Sequence, residues 1–289
     1  MIISYFPDFT FDIYLSLQDI TRHPFGLTEQ LDGDTYCTII QGKFVTIFQE
    51  KTTQRLAIDV KDCSPNEKLS ILNEIKRKFG LNQDMNAFYH FAKKDRNLAP
   101  VVDRLKGLTM LQKSTSFEML VTAITDQQLN ISFATKLKQK FIIEYGQKQT
   151  YNEIDLWTFP TPQRVADLSE DSLRQLQFSG SKSRYIVQLA RNIVNGSYSL
   201  DEWSKLSDED LISSLMSIYG VGCWTAEYSA MVGFNRQDVI PAADIGLMRS
   251  VQQCYHLHHR PTEKEVREIG ESWRPWRSLM TYYLWHAYE

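Results

Sequence analysis

Residues 218–226 read Ile-Tyr-Gly-Val-Gly-Cys-Trp-Thr-Ala, and they place two glycines between two segments whose apolar residues recur at helical spacing. The pattern predicts two helices joined by a sharp turn, a helix-hairpin-helix, over residues 211–234. Glycine suits such a turn because it adopts positive φ and leaves neighbouring backbone N–H groups uncovered. Uncovered N–H groups at the start of a helix bind anions, and a DNA phosphate fits such a site. Taken alone, Gly-x-Gly between helices is equally an ordinary connection.

One acidic residue follows the turn, in the sequence Pro-Ala-Ala-Asp at residues 241–244. Asp244 directly precedes a segment with helical periodicity, so it can cap that helix. It can also present a carboxylate at the mouth of the hairpin, beside the predicted phosphate site. A phosphate site next to one carboxylate indicates chemistry on a nucleotide. The residues themselves leave capping and catalysis both open.

Four further segments, in chain order, extend this pattern. They are Lys-Gly-Leu at 106–108, a helical stretch ending in Asp-Gln-Gln-Leu at 126–129, Phe-Ser-Gly-Ser-Lys-Ser-Arg-Tyr-Ile at 178–186, and a tryptophan-rich segment at 273–285. With the hairpin and Asp244, they resemble the helix-hairpin-helix (HhH-GPD) superfamily of DNA glycosylases of base excision repair. The tryptophan-rich end resembles in particular the bacterial DNA-3-methyladenine glycosylase II branch. The resemblance covers residues 106–289.

The first part of the chain differs in character from the rest. Short β-rich runs at 36–40, 44–48 and 56–60 precede a helical segment at 66–79. From residue 98 onward, helical periodicity replaces these runs. We therefore predict an α+β protein, with a mixed N-terminal domain containing a small antiparallel sheet over residues 1–97 and a helical region over residues 98–289. The resemblance implies that the helical region is an all-helical bundle of two lobes with the active cleft between them.

Composition and charge limit the classes of protein and of site. The 289 residues are 43% hydrophobic, as in an ordinary globular enzyme, and no apolar run approaches the ~20 residues of a membrane span. We expect a monomer in the bacterial cytosol or nucleoid, with no membrane partner. The net charge of −3 counts against blanket attraction to nucleic acid, so phosphate contacts would have to be local. Besides the turn amides, the candidate phosphate-contacting residues are Lys136, Lys138, Lys140, Lys182 and Arg184.

The four cysteines are scattered, without the paired spacing of a zinc site. Some members of the superfamily carry an iron–sulfur cluster on closely spaced C-terminal cysteines, and this chain has no such group, so we expect no cluster and no catalytic cofactor. The resemblance does imply a structural Na⁺ or K⁺ at the hairpin, held by the backbone carbonyls of Met216, Ile218 and Val221.

The resemblance implies further roles for the matching residues on damaged double-stranded DNA. Gly220, Val221 and Gly222 would bind the DNA backbone at the turn. Gln128 and Leu129 lie at the position whose side chain fills the gap left by a displaced nucleotide, and which of the two does so is open. Many relatives have an apolar residue where this chain has Gln128.

A pocket for the displaced base is implied at Trp224, Tyr228 and Trp285, with Asp244 as the catalytic carboxylate. Alkylation at N3 or N7 makes a purine cationic, and aromatic faces attract cations. The cationic base is also a good leaving group, so a carboxylate that stabilises the developing sugar cation is the main requirement. Packing in the core is the alternative for each of the three aromatic residues.

Residue 224 also decides whether the enzyme can cleave the strand. Relatives with lyase activity carry a lysine there, whose amine attacks the sugar. Trp224 cannot do this, so we predict a monofunctional glycosylase that releases 3-methyladenine and 7-methylguanine and leaves an abasic site. Two alternatives remain, a glycosylase for deaminated or oxidised purines and a non-catalytic DNA-binding helix-hairpin-helix protein. For the first, Glu227 is the nearby acid, and Ile245 replaces a pocket aromatic of the best-known alkylation enzyme.

Overall fold

The computed structural model describes residues 2–18 and 26–288. Its N-terminal part contains a five-stranded antiparallel sheet in the order β1-β5-β4-β3-β2. The strands are β1 (Ile2–Tyr5), β2 (Glu29–Asp32), β3 (Thr35–Ile40), β4 (Lys43–Gln49) and β5 (Leu56–Val60), and a short helix α1 (Ile13–Ser16) follows β1. Strands β3 and β4 meet in a two-residue turn because Gln41 and Gly42 both adopt positive φ, 50° and 75°, as a tight hairpin turn requires.

The rest of the described chain is mainly helical. The helices are α2 (Lys68–Lys78), α3 (Met85–Ala92), α4 (Leu98–Arg104), α5 (Ser116–Asp126), α6 (Ile131–Tyr145), α7 (Pro162–Ala166), α8 (Glu170–Gln175), α9 (Gly180–Val194), α10 (Leu200–Trp203), α11 (Asp208–Met216), α12 (Cys223–Gly233), α13 (Ile245–Cys254), α14 (Glu263–Glu271) and α15 (Arg277–Tyr288). The α+β fold predicted from the sequence is confirmed.

The helical region contains one element that the periodicity did not predict. Strands β6 (Lys148–Tyr151) and β7 (Ile154–Trp157) form an antiparallel hairpin, so the region after residue 98 is not all-helical. Its β-forming side chains flank a turn at Asn152 and Glu153, both at positive φ. Leu156 is fully buried against the outer face of the large sheet, and this packing stabilises a run too short to stand out in sequence.

Besides the small cluster around Leu156, two large hydrophobic cores organise the described residues. The first core joins the sheet to α2–α4 and to α13–α15, and the second core is formed by α5–α9, α11 and one face of α12. The sheet therefore shares its core with helices from the C-terminal end of the chain. The boundary at residues 97 and 98 stays a prediction.

Helices α5 and α12 pack against each other along the seam between the two cores. Ala226 and Ala230 of α12 face the second core, whereas Met231 and Val232 face the first. This explains why most of α12 after its first turn is buried, with apolar residues facing both cores. The first residues of α12 lie at the exposed end of this seam, so the candidate site is next to both cores.

Candidate nucleotide-binding and catalytic site

The predicted helix-hairpin-helix is present, with α11 and α12 joined by residues 217–222. Its two glycines do different things. Gly220 has φ +89°, and a Cβ placed on it would lie 2.2 Å from Cδ2 of Tyr185, so glycine is needed both for conformation and for packing. Gly222 has φ −92° and no atom within 4 Å of an added Cβ. The expectation of positive φ therefore holds for Gly220 only, and Gly222 leaves open space in front of the helix.

The start of α12 presents free donors toward that open space. Gly222 is the N-cap and offers no side chain, so the first turn has no side-chain cap. Within the described part of the chain, the N–H groups of Gly222, Cys223 and Trp224 donate to no backbone acceptor, whereas the N–H of Val221 donates to the carbonyl of Ile218 at 3.0 Å. The first-turn amides together with the helix dipole make an anion site.

A second turn, residues 127–129 between α5 and α6, lies beside the hairpin. Gln128 is exposed and has φ +55°, an unusual conformation for a residue other than glycine. Leu129 is half-buried and packs against the second core. The two neighbours thus differ in what they present: Gln128 points a polar side chain outward, and Leu129 is engaged in packing.

Gln127 links this turn to the hairpin and was missed by the sequence reasoning. Its side-chain Nε2 donates to the carbonyl of Gly220 at 3.0 Å and to Oγ1 of Thr225 at 3.1 Å. The Gln-Gln pair was visible in the sequence, but nothing in the pattern showed that the first glutamine reaches across to a turn 93 residues away.

Lys182 does not fit the phosphate-contact role considered for it. The residue is 9% exposed, and its Nζ donates to the carbonyls of Thr125 and Gln127, both at 2.6 Å. These carbonyls lie at the C-terminal end of α5, where intrahelical donors run out. Burial lowers the pKa of the Lys182 ammonium. Three of the other four cationic candidates have partners: Lys138 pairs with Asp126 at 2.7 Å, Arg184 with Glu170 at 3.6 Å, and Lys140 donates to Gln177. Lys136 is exposed.

Asp244 combines capping with a second set of contacts. As N-cap of α13, its Oδ1 accepts the N–H of Leu247 at 2.8 Å. The indole N–H of Trp285 donates to the same oxygen at 3.1 Å, and that of Trp224 donates to Oδ2 at 3.0 Å. A carboxylate offers about four lone-pair positions. Three are used here, so the remaining one is on Oδ2.

The three predicted pocket aromatics lie together around this carboxylate. Trp224 stacks on Tyr228, with centroids 5.4 Å apart and planes at 19°, and Tyr228 meets Trp285 edge-on at 6.0 Å. All three side chains are half-buried, so each keeps part of its surface exposed. The face of Trp224 turned to Tyr228 is covered, so a flat ligand would have to stack on aromatic surface of the cluster that remains exposed. The arrangement is a half-open aromatic cup with one fixed carboxylate.

The acidic neighbour Glu227 is turned away from solvent. It is 4% exposed, and its Oε1 accepts from Nη1 of Arg267 at 2.8 Å. Burial raises the pKa of the Glu227 carboxyl, while Arg267 opposes that shift. Ile245, directly after Asp244, is 55% exposed. It therefore forms part of the rim rather than of the core.

The three carbonyls expected to hold a cation differ in whether they already accept a backbone hydrogen bond. The carbonyls of Met216 and Val221 accept no backbone hydrogen bond within residues 2–18 and 26–288, and that of Ile218 accepts one. Carbonyl oxygens are hard ligands that suit Na⁺ or K⁺, and two of these three accept no backbone hydrogen bond, so the donor set fits such an ion. Across the same residues, no cluster of His, Cys, Asp and Glu has the make-up of a metal site, and no helix has the length and apolar character to cross a bilayer.

Known proteins resemble the chain in both sequence and fold. The profile of HhH-GPD superfamily base excision DNA repair proteins matches residues 121–275. A DNA-3-methyladenine glycosylase of Bacillus subtilis is 28% identical over 284 residues, covering 96% of this chain and 94% of that protein. A putative DNA-3-methyladenine glycosylase of the same organism is 31% identical, covering 76% and 75%.

Among solved structures, a 3-methyladenine DNA-glycosylase from Archaeoglobus fulgidus superposes with a TM-score of 0.87 at 22% identity, covering 98% of this chain and 97% of that one. The likeness extends to the N-terminal sheet, and the resemblance read from the sequence is confirmed. The chain belongs to the HhH-GPD superfamily of base excision DNA repair proteins.

Proposed function

We propose that the protein is a monofunctional DNA glycosylase that hydrolyses the N-glycosidic bond of alkylated purines, chiefly 3-methyladenine and 7-methylguanine, in double-stranded DNA. The observation that carries the proposal is the position of Asp244, held by two indole N–H groups inside an aromatic cup at the edge of the helix-hairpin-helix. The names of the Bacillus subtilis relatives point to the same class of lesion.

The hairpin would act first, by gripping the lesion strand. A duplex hides the glycosidic bond, so the nucleotide must leave the stack. The free amides at Gly222 and Cys223 would bind a backbone phosphate, and a Na⁺ or K⁺ on the carbonyls of Met216, Ile218 and Val221 would supply positive charge facing that phosphate. Gln128 is the better candidate for filling the vacated space, because it is exposed whereas Leu129 is packed.

The cup would then select for positive charge. A purine methylated at N3 or N7 carries a full positive charge, and an aromatic face attracts such a cation by about 0.5–2 kcal/mol. A neutral purine gains less and also needs a proton donor to leave. Glu227, the acid nearest to the cup in sequence, directs its carboxylate to Arg267 instead. This favours alkylated over deaminated or oxidised purines.

Asp244 would carry the chemical step. As the bond to the base breaks, the sugar gains positive charge, and a fixed carboxylate stabilises it. The free lone-pair position on Oδ2 can face the sugar or accept a proton from the attacking water. The bonds from Trp224 and Trp285 fix the carboxylate in advance, so no reorganisation is required during the reaction.

Loss of the lesion without strand cleavage is the expected outcome. Trp224 occupies the position at which a lyase carries its amine, and an indole cannot form a Schiff base. The test is a panel of oligonucleotide duplexes containing 7-methylguanine, hypoxanthine or 8-oxoguanine, with released bases identified chromatographically and borohydride added to trap any covalent intermediate. Release of the methylated base alone, without trapping, supports the proposal. Faster release of a neutral lesion would reassign the substrate, and binding without any release would indicate a non-catalytic DNA-binding protein.

A further inference from the structure

The two turns that contact DNA in the proposed function are joined by direct side-chain bonds. Gln127 belongs to the turn that carries Gln128, and its amide donates to Gly220 and Thr225 of the hairpin. The acceptors lie on either side of the residues that present the free amides. A change in the orientation of one turn would break these bonds, so the distance between Gln128 and the anion site is fixed.

Helix α9 contacts the same two turns through the side chains of Lys182 and Tyr185. Lys182 donates to the carbonyls of Thr125 and Gln127, at the end of α5. Three residues further along α9, on the same side of the helix, the ring of Tyr185 packs against Gly220 and meets Tyr219 edge-on at 4.9 Å. One face of one helix therefore contacts both turns.

Gln128 gives an independent reason why the turn must be held. Its φ of +55° costs of the order of 1 kcal/mol for a residue with a side chain, and such conformations persist only where the surrounding structure enforces them. The enforcing contacts are those of Gln127 and Lys182, which immobilise the residue directly before Gln128.

We propose that Gln127 and Lys182 are positioning residues, which hold Gln128 at a fixed distance from the hairpin amides so that it enters the duplex opposite the phosphate the hairpin grips. The inference rests on the proposed function of the same site. It predicts that these residues matter where a base must be displaced from a stack. In a single strand there is no partner base and little stacking to replace.

The experiment compares base release from methylated duplex DNA with release from methylated single-stranded DNA, for wild type, Gln127→Ala and Lys182→Met. Two lost hydrogen bonds predict a fall in kcat/KM on duplex of about 10–30-fold, with the single-stranded rate within about 3-fold of wild type. Gln175→Ala, on the exposed face of α8, is the matched control and should leave both rates unchanged. Equal losses on both substrates, or no loss on either, would overturn the proposal.

A second measurement separates this inference from the proposed function. A duplex with a stable abasic-site analogue, and 2-aminopurine as its neighbour, reports insertion of a side chain by fluorescence and needs no catalysis. Wild type should change the fluorescence, and Gln127→Ala should not at saturating protein. If wild type releases no methylated base but the fluorescence difference remains, the proposed lesion is wrong and the positioning role stands. If the alanine variant is unstable, Gln127→Asn, whose amide is one methylene shorter, replaces it.

Discussion

The same substitution at the two glycines of the hairpin should affect different properties: stability at Gly220 and DNA affinity at Gly222. Gly220→Ala forces an alanine to φ +89° and places its Cβ 2.2 Å from the ring of Tyr185. Backbone strain of about 1–3 kcal/mol and overpacking of about 1–3 kcal/mol together predict a loss of about 2–6 kcal/mol of unfolding free energy. At ~2 °C per kcal/mol for a chain of this size, Tm should fall by about 4–12 °C.

Gly222→Ala meets no steric obstacle, because its φ is −92° and the space beyond it is empty. A weaker N-cap and a less flexible unfolded chain offset each other, so Tm should stay within about 2 °C of wild type. The new methyl group stands where a phosphate would approach the amides. Losing one charge-assisted hydrogen bond predicts DNA binding weaker by about 10–100-fold.

The assay for this pair is thermal unfolding together with titration of a fluorescent duplex at fixed salt. Gly220→Ala should mainly lower Tm, and Gly222→Ala should mainly lower the affinity for DNA. This expectation is refuted if Gly222→Ala binds DNA as tightly as wild type, or if both variants lose the same amount of stability.

Three other predictions concern the carboxylate, the exposed turn and a buried ion pair. Trp285→Phe keeps an aromatic ring but removes the N–H that donates to Asp244, so single-turnover base release should slow by about 10-fold or more while Tm changes little. Gln128→Gly relieves the positive φ, so Tm should be unchanged or higher while release from duplex DNA falls, and a parallel loss of both would contradict the role assigned to this residue. Burial alone would raise the pKa of Glu29, but Lys78 at 2.7 Å, together with Lys113 and the hydroxyl of Tyr36, outweighs it and lowers that pKa to about 2. Because the unfolded value is about 4.3, this stabilisation is present above that pH and is lost as pH falls toward 2, roughly 3 kcal/mol in all. Urea unfolding at pH 7 and pH 3 should show a smaller difference in Glu29→Gln than in wild type.

The sequence predicted the parts of the site that depend on local pattern. The hairpin, the capping position of Asp244 and the grouping of the aromatics follow from glycine spacing, helix periodicity and the resemblance that those residues carry. Contacts between segments distant in sequence could not be predicted in this way. Lys182 has the sequence context of a surface cation, and its burial becomes apparent only when α9 packs beneath the end of α5.

The same limit explains the other differences. The indole bonds to Asp244 join residues 20 and 41 positions apart, and no periodicity encodes the direction in which an indole edge points. The hairpin β6–β7 is stabilised by Leu156 packing on the large sheet. This tertiary contact is not visible in the local sequence pattern, so the hairpin was not predicted. No pattern in the sequence marks Gln127, and only the backbone turn after it separates this half-buried connector from the exposed side chain of Gln128.

The central claim is that the carboxylate of Asp244 acts in bond cleavage and does not serve only as a helix cap. Asparagine caps a helix as well as aspartate does, so Asp244→Asn keeps the bond from Leu247, removes the charge and replaces the oxygen that accepts the Trp224 indole N–H by an amide nitrogen. The decisive measurement is release of 3-methyladenine and 7-methylguanine from methylated duplex DNA by wild type and by this variant, beside DNA affinity and Tm. If the carboxylate acts in cleavage, only wild type releases these bases, and the variant largely retains DNA affinity and Tm. Release at wild-type rate by Asp244→Asn would contradict it.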